Sequence, residues 1–296
     1  MKEPCRGRFA PSPTGPLHFG SLVAALGSWL DARSRGGQWL VRIEDLDPPR
    51  NPPGAADAIL RCLERWGLHW DGPVLYQSHR SEAYRAALES LEANRLAYPC
   101  TCTRREIRAT SPDGRYPGHC RGGPRHADRP PAWRLRVDDA PAGFRDRLRG
   151  RVQTPPPADF TLRRADGLWS YQLAVVVDDA FQGITDIVRG ADLMDATPGQ
   201  IHLQRLLGLP RPEYAHLPLA LGPDARKLSK QNRARPIAPG EGPRAIARAL
   251  EFLGHPPPAA LHGAPAAELL AWGKAHWSLA RVGREDRPAP VVDGTD

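Results

Sequence analysis

Two short segments, far apart in the sequence, carry residue types that could bind a phosphate group. The first runs from Arg8 to Ser21 (RFAPSPTGPLHFGS) and leads into an amphipathic helix, and the second is Lys227 to Lys230 (KLSK). A helix N-terminus offers unpaired N–H groups and the positive end of a dipole to an anion. His18 can add a ring N–H, and Gly20 lets the backbone approach a ligand closely. Lysine is rare in this chain, and its flexible ammonium group in KLSK could follow a shifting phosphate charge.

A third cluster has the residue types of a metal site. Cys100, Cys102 and Cys120 lie close together in the sequence, and thiolates at this density favour zinc. General coordination rules favour His119 as the fourth ligand, although adjacent residues converge on one ion with difficulty. Four protein ligands would make the metal structural, since no position stays open for catalysis.

Composition limits the possible partners and the location. Five cysteines without a regular framework fit a reducing compartment, so we expect a cytoplasmic protein. No apolar stretch is long enough to span a membrane, and the N-terminus lacks a signal-peptide pattern. A net charge of +8 and a pI near 9.6 favour a nucleic acid as partner. Genome composition could explain the preference for arginine over lysine, but it does not explain the net excess of positive charge.

The hydrophobic pattern predicts an α/β fold with an interruption. The apolar run Leu173 to Val177 has the length of a core strand. The predicted strands lie at 6–10, 39–47, 133–137, 144–152 and 216–221, and the predicted helices at 21–36, 55–66, 81–94, 198–207, 244–253 and 266–276. Residues 98–165 form an inserted subdomain in this prediction, and the polar segment from Arg284 is expected to be disordered.

Several charged residues lie at or near predicted strand ends, where an open α/β sheet binds its ligands. These residues are Arg8, Glu44, Asp45, Asp186 and Arg189. Glu44 is flanked by Arg42, so a structural ion pair is an equally good interpretation of that carboxylate.

The motifs together resemble a known family. HFGS (His18 to Ser21) and KLSKQ (Lys227 to Gln231) are similar to the HIGH and KMSKS signatures of class I aminoacyl-tRNA synthetases. They differ from these signatures at Ser21 and Gln231. RIEDLDPPR and LAVVVDDAFQGITDIVRGADL narrow the resemblance to the glutamate-specific branch, and most closely to its short glutamyl-Q tRNA(Asp) members. The similarity extends over most of residues 6–254.

The resemblance implies a fold and a division of the chain. It implies a class I synthetase-type Rossmann (HUP-like) parallel sheet, an inserted zinc-bearing α+β subdomain and a short helical C-terminal region. The catalytic domain would comprise residues 1–97 and 166–226, interrupted by the insertion at 98–165. A KMSKS-type loop and helical region would follow at 227–283, and a disordered tail at 284–296.

The resemblance also assigns roles to residues. The implied catalytic residues are His18, Gly20, Lys227 and Lys230, and ATP would contact His18, Gly20, Ser21 and Lys230. The implied glutamate pocket comprises Arg8, Phe9, Ala10, Pro11, Ser12, Glu44, Tyr171 and Arg189. The chemistry agrees, since guanidinium groups bind carboxylates and Glu44 can face an ammonium. The family's CxC…YxxxC pattern makes Cys100, Cys102, Tyr116 and Cys120 the zinc ligands, with His119 as the competitor of Tyr116.

The expected reaction has two steps. Glutamate attacks the α-phosphate of ATP, which is bound with Mg²⁺, and a hydroxyl group of a tRNA then attacks the mixed anhydride. The segment after Lys230 is too short for the anticodon-binding region of a glutamyl-tRNA synthetase. The resemblance therefore implies transfer to queuosine in the anticodon of tRNA(Asp) by a monomer without membrane contact. The alternatives are a minimal glutamyl-tRNA synthetase that charges the acceptor end and a non-catalytic RNA-binding paralogue.

Overall fold

The computed structural model describes residues 4–228 and 235–290. The α-helices of these residues are α1 Phe19–Ser34, α2 Ala55–Arg65, α3 Ser81–Ala93, α4 Arg104–Thr110, α5 Tyr171–Phe181, α6 Thr197–Leu206, α7 Gly242–Phe252 and α8 Ala266–His276. The strands are β1 Arg6–Phe9, β2 Gln38–Ile43, β3 Leu75–Tyr76, β4 Ala97–Cys100, β5 Ala132–Leu135, β6 Gly143–Asp146, β7 Gly150–Gln153, β8 Thr161–Arg163, β9 Asp186–Gly190, β10 Glu213–Leu217, β11 Ala220–Leu221 and β12 Arg287–Pro288.

Two mostly parallel sheets meet edge to edge and confirm the predicted α/β class. One has the order β1-β2-β3, and the other has the order β7-β6-β10-β9, with only β7 antiparallel to its neighbour. At the start of β1 and β9, the Thr185 N–H donates to the Arg6 carbonyl (3.0 Å) and the Arg6 N–H donates to Thr185 Oγ1 (2.8 Å). No ladder pairing between β1 and β9 is found in the described part of the chain. Ligands are expected at such a change of strand order, beyond the carboxyl ends of the strands.

Helix α1 packs tightly on this sheet. Its N-terminus is capped by His18, whose Nδ1 accepts a hydrogen bond from the Ser21 N–H (3.3 Å). One reason for the close packing is Gly27, where a Cβ atom would lie 2.6 Å from Leu217 of β10. Trp39 of β2 adds a hydrogen bond from its Nε1 to Ser28 Oγ (2.9 Å). The N-terminus of α1 is thereby held at the carboxyl edge of the sheet.

The prediction of a core strand at Leu173–Val177 is wrong, because these residues lie in α5. Ser170 caps this helix by accepting a hydrogen bond from the Leu173 N–H (3.3 Å). Short apolar runs fit a buried strand or a buried helix equally well. Here the helix is buried on most sides, since it packs against α3, α6 and β8.

The segment 98–165 contains two different structures. β4, β5 and β8 form a separate antiparallel sheet, whereas the β6–β7 hairpin joins the sheet of β9 and β10. Arg147, in the turn of this hairpin, pairs with Asp31 of α1 (2.8 Å) and Asp186 of β9 (3.0 Å). The sequence-based division at 98 and 165 remains a prediction, and the hairpin is the part of that segment that contacts the parallel sheet.

Two further expectations differ from the structure. Asp186 is the first residue of β9, so it lies at the opposite end of the strand from the ligand-binding edge. The segment from Arg284 was expected to be disordered, but Arg287–Pro288 forms β12 and pairs with β11. The Arg287 guanidinium lies 4.6 Å from the Phe252 ring centre, which anchors this strand on α7. None of the helices in 4–228 and 235–290 has the length and apolar character needed to cross a membrane.

Candidate active site

A cavity of about 410 Å³ opens where β1, β2 and β9 end. Most residues of the predicted glutamate pocket line it. They are Arg8, Phe9, Ala10, Ser12, Glu44, Tyr171 and Arg189. Pro11 is not among the lining residues, but its carbonyl accepts the Glu44 N–H (3.0 Å) and so helps to place Glu44. Asp45 turns away and binds the Ser78 N–H (2.8 Å) and Oγ (2.6 Å).

Asp179 of α5 holds two arginines beneath this cavity. Arg8 Nε lies 3.1 Å and Arg42 Nη1 lies 2.9 Å from the same oxygen, Asp179 Oδ1. Burial by itself would raise the pKa of Asp179. The nearby guanidinium groups of Arg42 and Arg8 outweigh burial and hold this pKa below its usual value. The ionised Asp179 carboxylate neutralises the buried charge of Arg8 and holds its guanidinium in one orientation.

Glu44 lies on the other side of Arg42, with 3.6 Å between Oε1 and Nη2. The structural ion pair considered from the sequence is therefore present, but it is long, and Glu44 Oε1 is buried without a hydrogen-bond partner among the described residues. Burial raises the pKa of Glu44 to about 7, against the opposing effect of Arg42 and Arg8. A carboxylate so poorly satisfied can gain from a ligand cation.

Arg189 of β9 is only 5% exposed and is held by neutral acceptors. Its Nη2 donates to Thr197 Oγ1 (2.8 Å) and Gln200 Oε1 (2.7 Å), and its Nη1 has a longer contact to Tyr171 Oη (3.4 Å). Within residues 4–228 and 235–290, no carboxylate forms an ion pair with Arg189. A buried guanidinium of this kind is prepared to bind an anionic ligand.

The charged groups around the cavity carry a net positive charge, since Asp192 and Lys227, which also line it, pair with each other. Arg8, Arg42 and Arg189 contribute three positive charges, while Asp179 and ionised Glu44 contribute two negative ones. An amino acid with one ammonium and two carboxylates would neutralise this excess, and a neutral amino acid would leave it.

A second cavity, of about 170 Å³, adjoins the first at Gly190, Asp192 and Lys227, which line both. The predicted ATP contacts His18, Gly20 and Ser21 line this second cavity, at the N-terminus of α1. Because His18 Nδ1 accepts a hydrogen bond from the Ser21 N–H, the ring proton is on Nε2.

Lys227 contacts both cavities and pairs with Asp192 (2.5 Å between Nζ and Oδ2). Lys230 and Gln231, the other predicted members of this segment, lie outside the described residues. The two cavities together could hold an amino acid beside a nucleotide, with Lys227 at their junction.

The predicted metal ligands converge at a separate site. The sulfur atoms of Cys100, Cys102 and Cys120 lie within 4.8 Å of one another. Tyr116 Oη is 3.2 Å from Cys100 Sγ and 3.6 Å from Cys102 Sγ. His119 instead contacts Thr110 Oγ1 through its Nε2 (3.1 Å).

These donors fit zinc. Sulfur ligands of tetrahedral zinc lie about 3.8 Å apart, since each Zn–S bond is about 2.3 Å. Burial by itself would raise the pKa of Cys120. Hydrogen bonds outweigh this effect and lower the pKa to about 6; they come from Tyr116 and from the backbone of Thr101 and Arg125. The thiolate form that binds metal is thus favoured at this position.

Sequence reasoning missed Asp179 and Asp192 as parts of the site, and it considered Arg42 only as an ion-pair partner of Glu44. One signal was available: two adjacent acids, Asp178 and Asp179, directly follow an apolar run, and buried carboxylates require partners. The contact of Asp192 with Lys227 depends on the tertiary fold and has no local signal.

With this geometry established, relatives identify the family. The model for the class I (E and Q) tRNA synthetase catalytic domain matches residues 4–241. A glutamyl-Q tRNA(Asp) synthetase of Dechloromonas aromatica (strain RCB) is 56% identical over 294 residues, which cover 96% of this chain and 98% of that relative. The chain belongs to the glutamyl-Q tRNA(Asp) synthetase family. A second relative of this name, from Pseudomonas aeruginosa strain PAO1, is 54% identical over 94% of this chain and 95% of its own length.

Solved structures support the same family. A glutamate tRNA ligase from Elizabethkingia meningosepticum, crystallised in complex with its amino acid, has a TM-score of 0.80 and 26% identity. The match covers 97% of this chain and 67% of that chain. The glutamate-tRNA synthetase of Elizabethkingia anophelis matches with a TM-score of 0.75 and 28% identity, over 95% of this chain and 67% of its own. The predicted class I synthetase fold is confirmed.

The raised pKa of Glu44 predicts a pH dependence of amino-acid use. Below about pH 7 the carboxylic acid is neutral and cannot attract an ammonium, so the KM for the amino acid should fall as pH rises through about 7. In Glu44→Gln this dependence should disappear and the KM should rise at least about tenfold, because a hydrogen bond to a charged group is lost. Steady-state kinetics between pH 6 and 8 measures both effects.

Glu92→Gln is the matched control, since burial also raises the pKa of this carboxyl group on α3, away from the cavity. It should behave as wild type. A Glu44→Gln enzyme with an unchanged KM and pH profile would contradict the assignment of Glu44 to the ammonium group.

Proposed function

We propose that this protein activates L-glutamate with ATP and transfers it to queuosine in the anticodon of tRNA(Asp). The observation that carries the first half is the buried Arg189, which has no carboxylate partner in the described structure and shares a cavity with the poorly satisfied Glu44. Glutamate supplies the complementary groups, two carboxylates and one ammonium. Its net charge of −1 offsets the excess positive charge of the cavity.

In the first step, an oxygen of the glutamate α-carboxylate attacks the α-phosphorus of ATP. The bond to the bridging oxygen breaks and pyrophosphate leaves, so the product is glutamyl-adenylate. ATP would occupy the second cavity, where the N-terminus of α1 and the Nε2–H of His18 stabilise its phosphates. Mg²⁺, which accompanies ATP in this reaction class, offsets phosphate charge. The proposed role of Lys227 is to follow the charge that develops on the leaving group, together with Lys230.

In the second step, a hydroxyl oxygen of the tRNA attacks the acyl carbon of the adenylate and AMP leaves. The queuosine cyclopentene diol resembles the ribose diol of a tRNA terminus, so the same chemistry serves either acceptor. The names of the relatives favour the anticodon, and the match with them spans nearly their full length, against 67% of the glutamate tRNA ligase chain. The net charge of +8 supports binding to RNA.

The proposal includes one structural zinc per chain. Cys100, Cys102, Tyr116 and Cys120 would hold it, and four protein ligands leave no open position for catalysis. The metal would connect the end of β4 to the loop that contains Tyr116 and Cys120. We further propose that the protein acts as a cytoplasmic monomer, where its free cysteines stay reduced.

The decisive test is transfer of labelled glutamate, with ATP, to tRNA from cells that make queuosine and from cells that do not. Label should appear only on the queuosine-containing tRNA. Periodate treatment of the RNA before the reaction should prevent labelling, since periodate cleaves the queuosine diol. Periodate also cleaves the terminal ribose diol, so the comparison of the two tRNA preparations is what identifies the acceptor.

Equal label on both tRNA preparations would instead indicate charging of the acceptor end and would overturn the anticodon assignment. Binding of tRNA with no label on either preparation would indicate the non-catalytic RNA-binding alternative.

The metal assignment predicts distinct effects of neighbouring substitutions. Wild type should retain about one zinc per chain after dialysis, measured by mass spectrometry of the metal. Cys120→Ser should lose it, while Cys62→Ser, a half-buried cysteine outside the cluster, should keep it. Tyr116→Phe should release zinc to a chelator faster than His119→Gln. The reverse order would make His119 the fourth ligand.

A further inference from the structure

Arg189 is supported from the side opposite the cavity by a buried pair, His216 of β10 and Asp146 of β6. Arg189 Nε donates to His216 Nε2 (3.2 Å), and His216 Nδ1 lies 2.7 Å from Asp146 Oδ2. All three side chains are at most 5% exposed, and His216 is fully buried. Neither His216 nor Asp146 is among the described residues that line the two cavities, so their effect on a ligand is indirect. It passes through Arg189, either directly or through Thr197, whose Oγ1 lies 3.1 Å from His216 Nε2 and accepts from Arg189 Nη2.

The partners determine the tautomer of His216. A guanidinium group can only donate hydrogen bonds, so Nε2 must carry a lone pair and accept from Arg189. The ring proton is therefore on Nδ1, where it is donated to Asp146. Asp146 stays ionised. Burial by itself would raise its pKa, but hydrogen bonds from His216 and from the Arg149 N–H hold this pKa below the usual value. Burial lowers the pKa of His216, which keeps the ring neutral.

The acceptors around Arg189 leave one edge of the guanidinium for a ligand. Nε is held by His216, and Nη2 is held by Thr197 and Gln200. Among the described residues, the hydrogen bond of Nη1 is the long 3.4 Å contact to Tyr171, which lines the cavity. A carboxylate in place of His216 would neutralise Arg189 directly. The neutral imidazole of His216 orients the guanidinium without neutralising it, so the positive charge of Arg189 can pair with a carboxylate of the substrate.

We propose that Asp146 and His216 are positioning residues that hold Arg189 in the orientation that binds a carboxylate of glutamate. The inference rests on the proposed function, since it assigns the geometry of that glutamate pocket to a pair behind it. It also gives the β6–β7 hairpin a role: the hairpin turn, through the N–H groups of Leu148 and Arg149 (2.9 and 2.8 Å), fixes the Asp146 carboxylate.

The kinetic test compares two substitutions of the same residue. In His216→Leu the acceptor for Arg189 Nε is lost, and the KM for glutamate should rise about tenfold or more, which is the usual effect of losing one such hydrogen bond. The KM for ATP should stay within twofold and kcat should change less than threefold. In His216→Gln, the amide oxygen reaches about as far as Nε2 and can accept the same bond, so the KM for glutamate should recover to within about threefold.

His255→Gln is the matched control, because His255 is another fully buried histidine and is bound to Leu253 and Ser278, away from both cavities. It should leave the KM for glutamate unchanged. Equal KM values for glutamate in wild type and His216→Leu would overturn the proposal. An equal loss in His216→Leu and His216→Gln, with the KM for ATP rising in parallel, would indicate a merely structural role and would also overturn it.

A spectroscopic measurement on the wild-type chain is independent of catalysis. Nitrogen-15 NMR of the histidine-labelled wild-type chain, with the His216 signals assigned by their absence in His216→Gln, should show the proton on Nδ1. A proton on Nε2 would contradict the proposal, because Nε2 could not then accept from Arg189. If wild type transfers no glutamate, the proposed function fails whatever the tautomer. If wild type is active and the tautomer or the variants disagree, only the positioning role fails.

Discussion

The site depends on one buried positive charge that has no anionic partner among the described residues, the guanidinium of Arg189. Burial of an isolated charge is costly, and the cost is reduced here by the hydrogen bonds from Arg189 to His216, Thr197 and Gln200. Its charge nevertheless remains available. A ligand carboxylate that enters the cavity meets a guanidinium that is already oriented, so little ordering is needed at the moment of binding. The remaining arginines beneath the cavity, Arg8 and Arg42, are already paired with acids.

The fold makes this arrangement possible by bringing three distant segments to one edge. β9 carries Arg189, α5 carries Asp179, and the hairpin between β6 and β7 carries Asp146. The hairpin lies in the segment that the sequence marks as an insertion. Its strand β6 nevertheless pairs with β10, and Asp146 of β6 contacts His216 behind Arg189. If Asp146 has the proposed positioning role, specificity for the amino acid is built partly from a region outside the catalytic motifs.

The sequence predicted those features that local patterns encode. The helix after His18, the strand before Glu44 and the cysteine spacing each have short-range signals, and the structure brings most of the predicted pocket residues around one cavity. The helix at Leu173–Val177 was missed because an apolar run of this length fits strand and helix alike. The partners of Arg189 were missed for a different reason: an acceptor such as His216 is chosen by strand pairing, which a single sequence does not reveal. Lys230 is not among the described residues, so its role stays a prediction.

The most direct test of the account is the ratio of kcat/KM for glutamate to that for glutamine, in wild type and in Arg189→Met. Glutamine leaves the excess positive charge of the cavity unmatched, so wild type should favour glutamate by a factor on the order of 10⁴, as sites with a buried unpaired polar group do. Arg189→Met removes that excess charge and should lower the ratio at least about a hundredfold. A substitution that reduces activity with both amino acids equally, and leaves the ratio unchanged, would contradict the central role of Arg189.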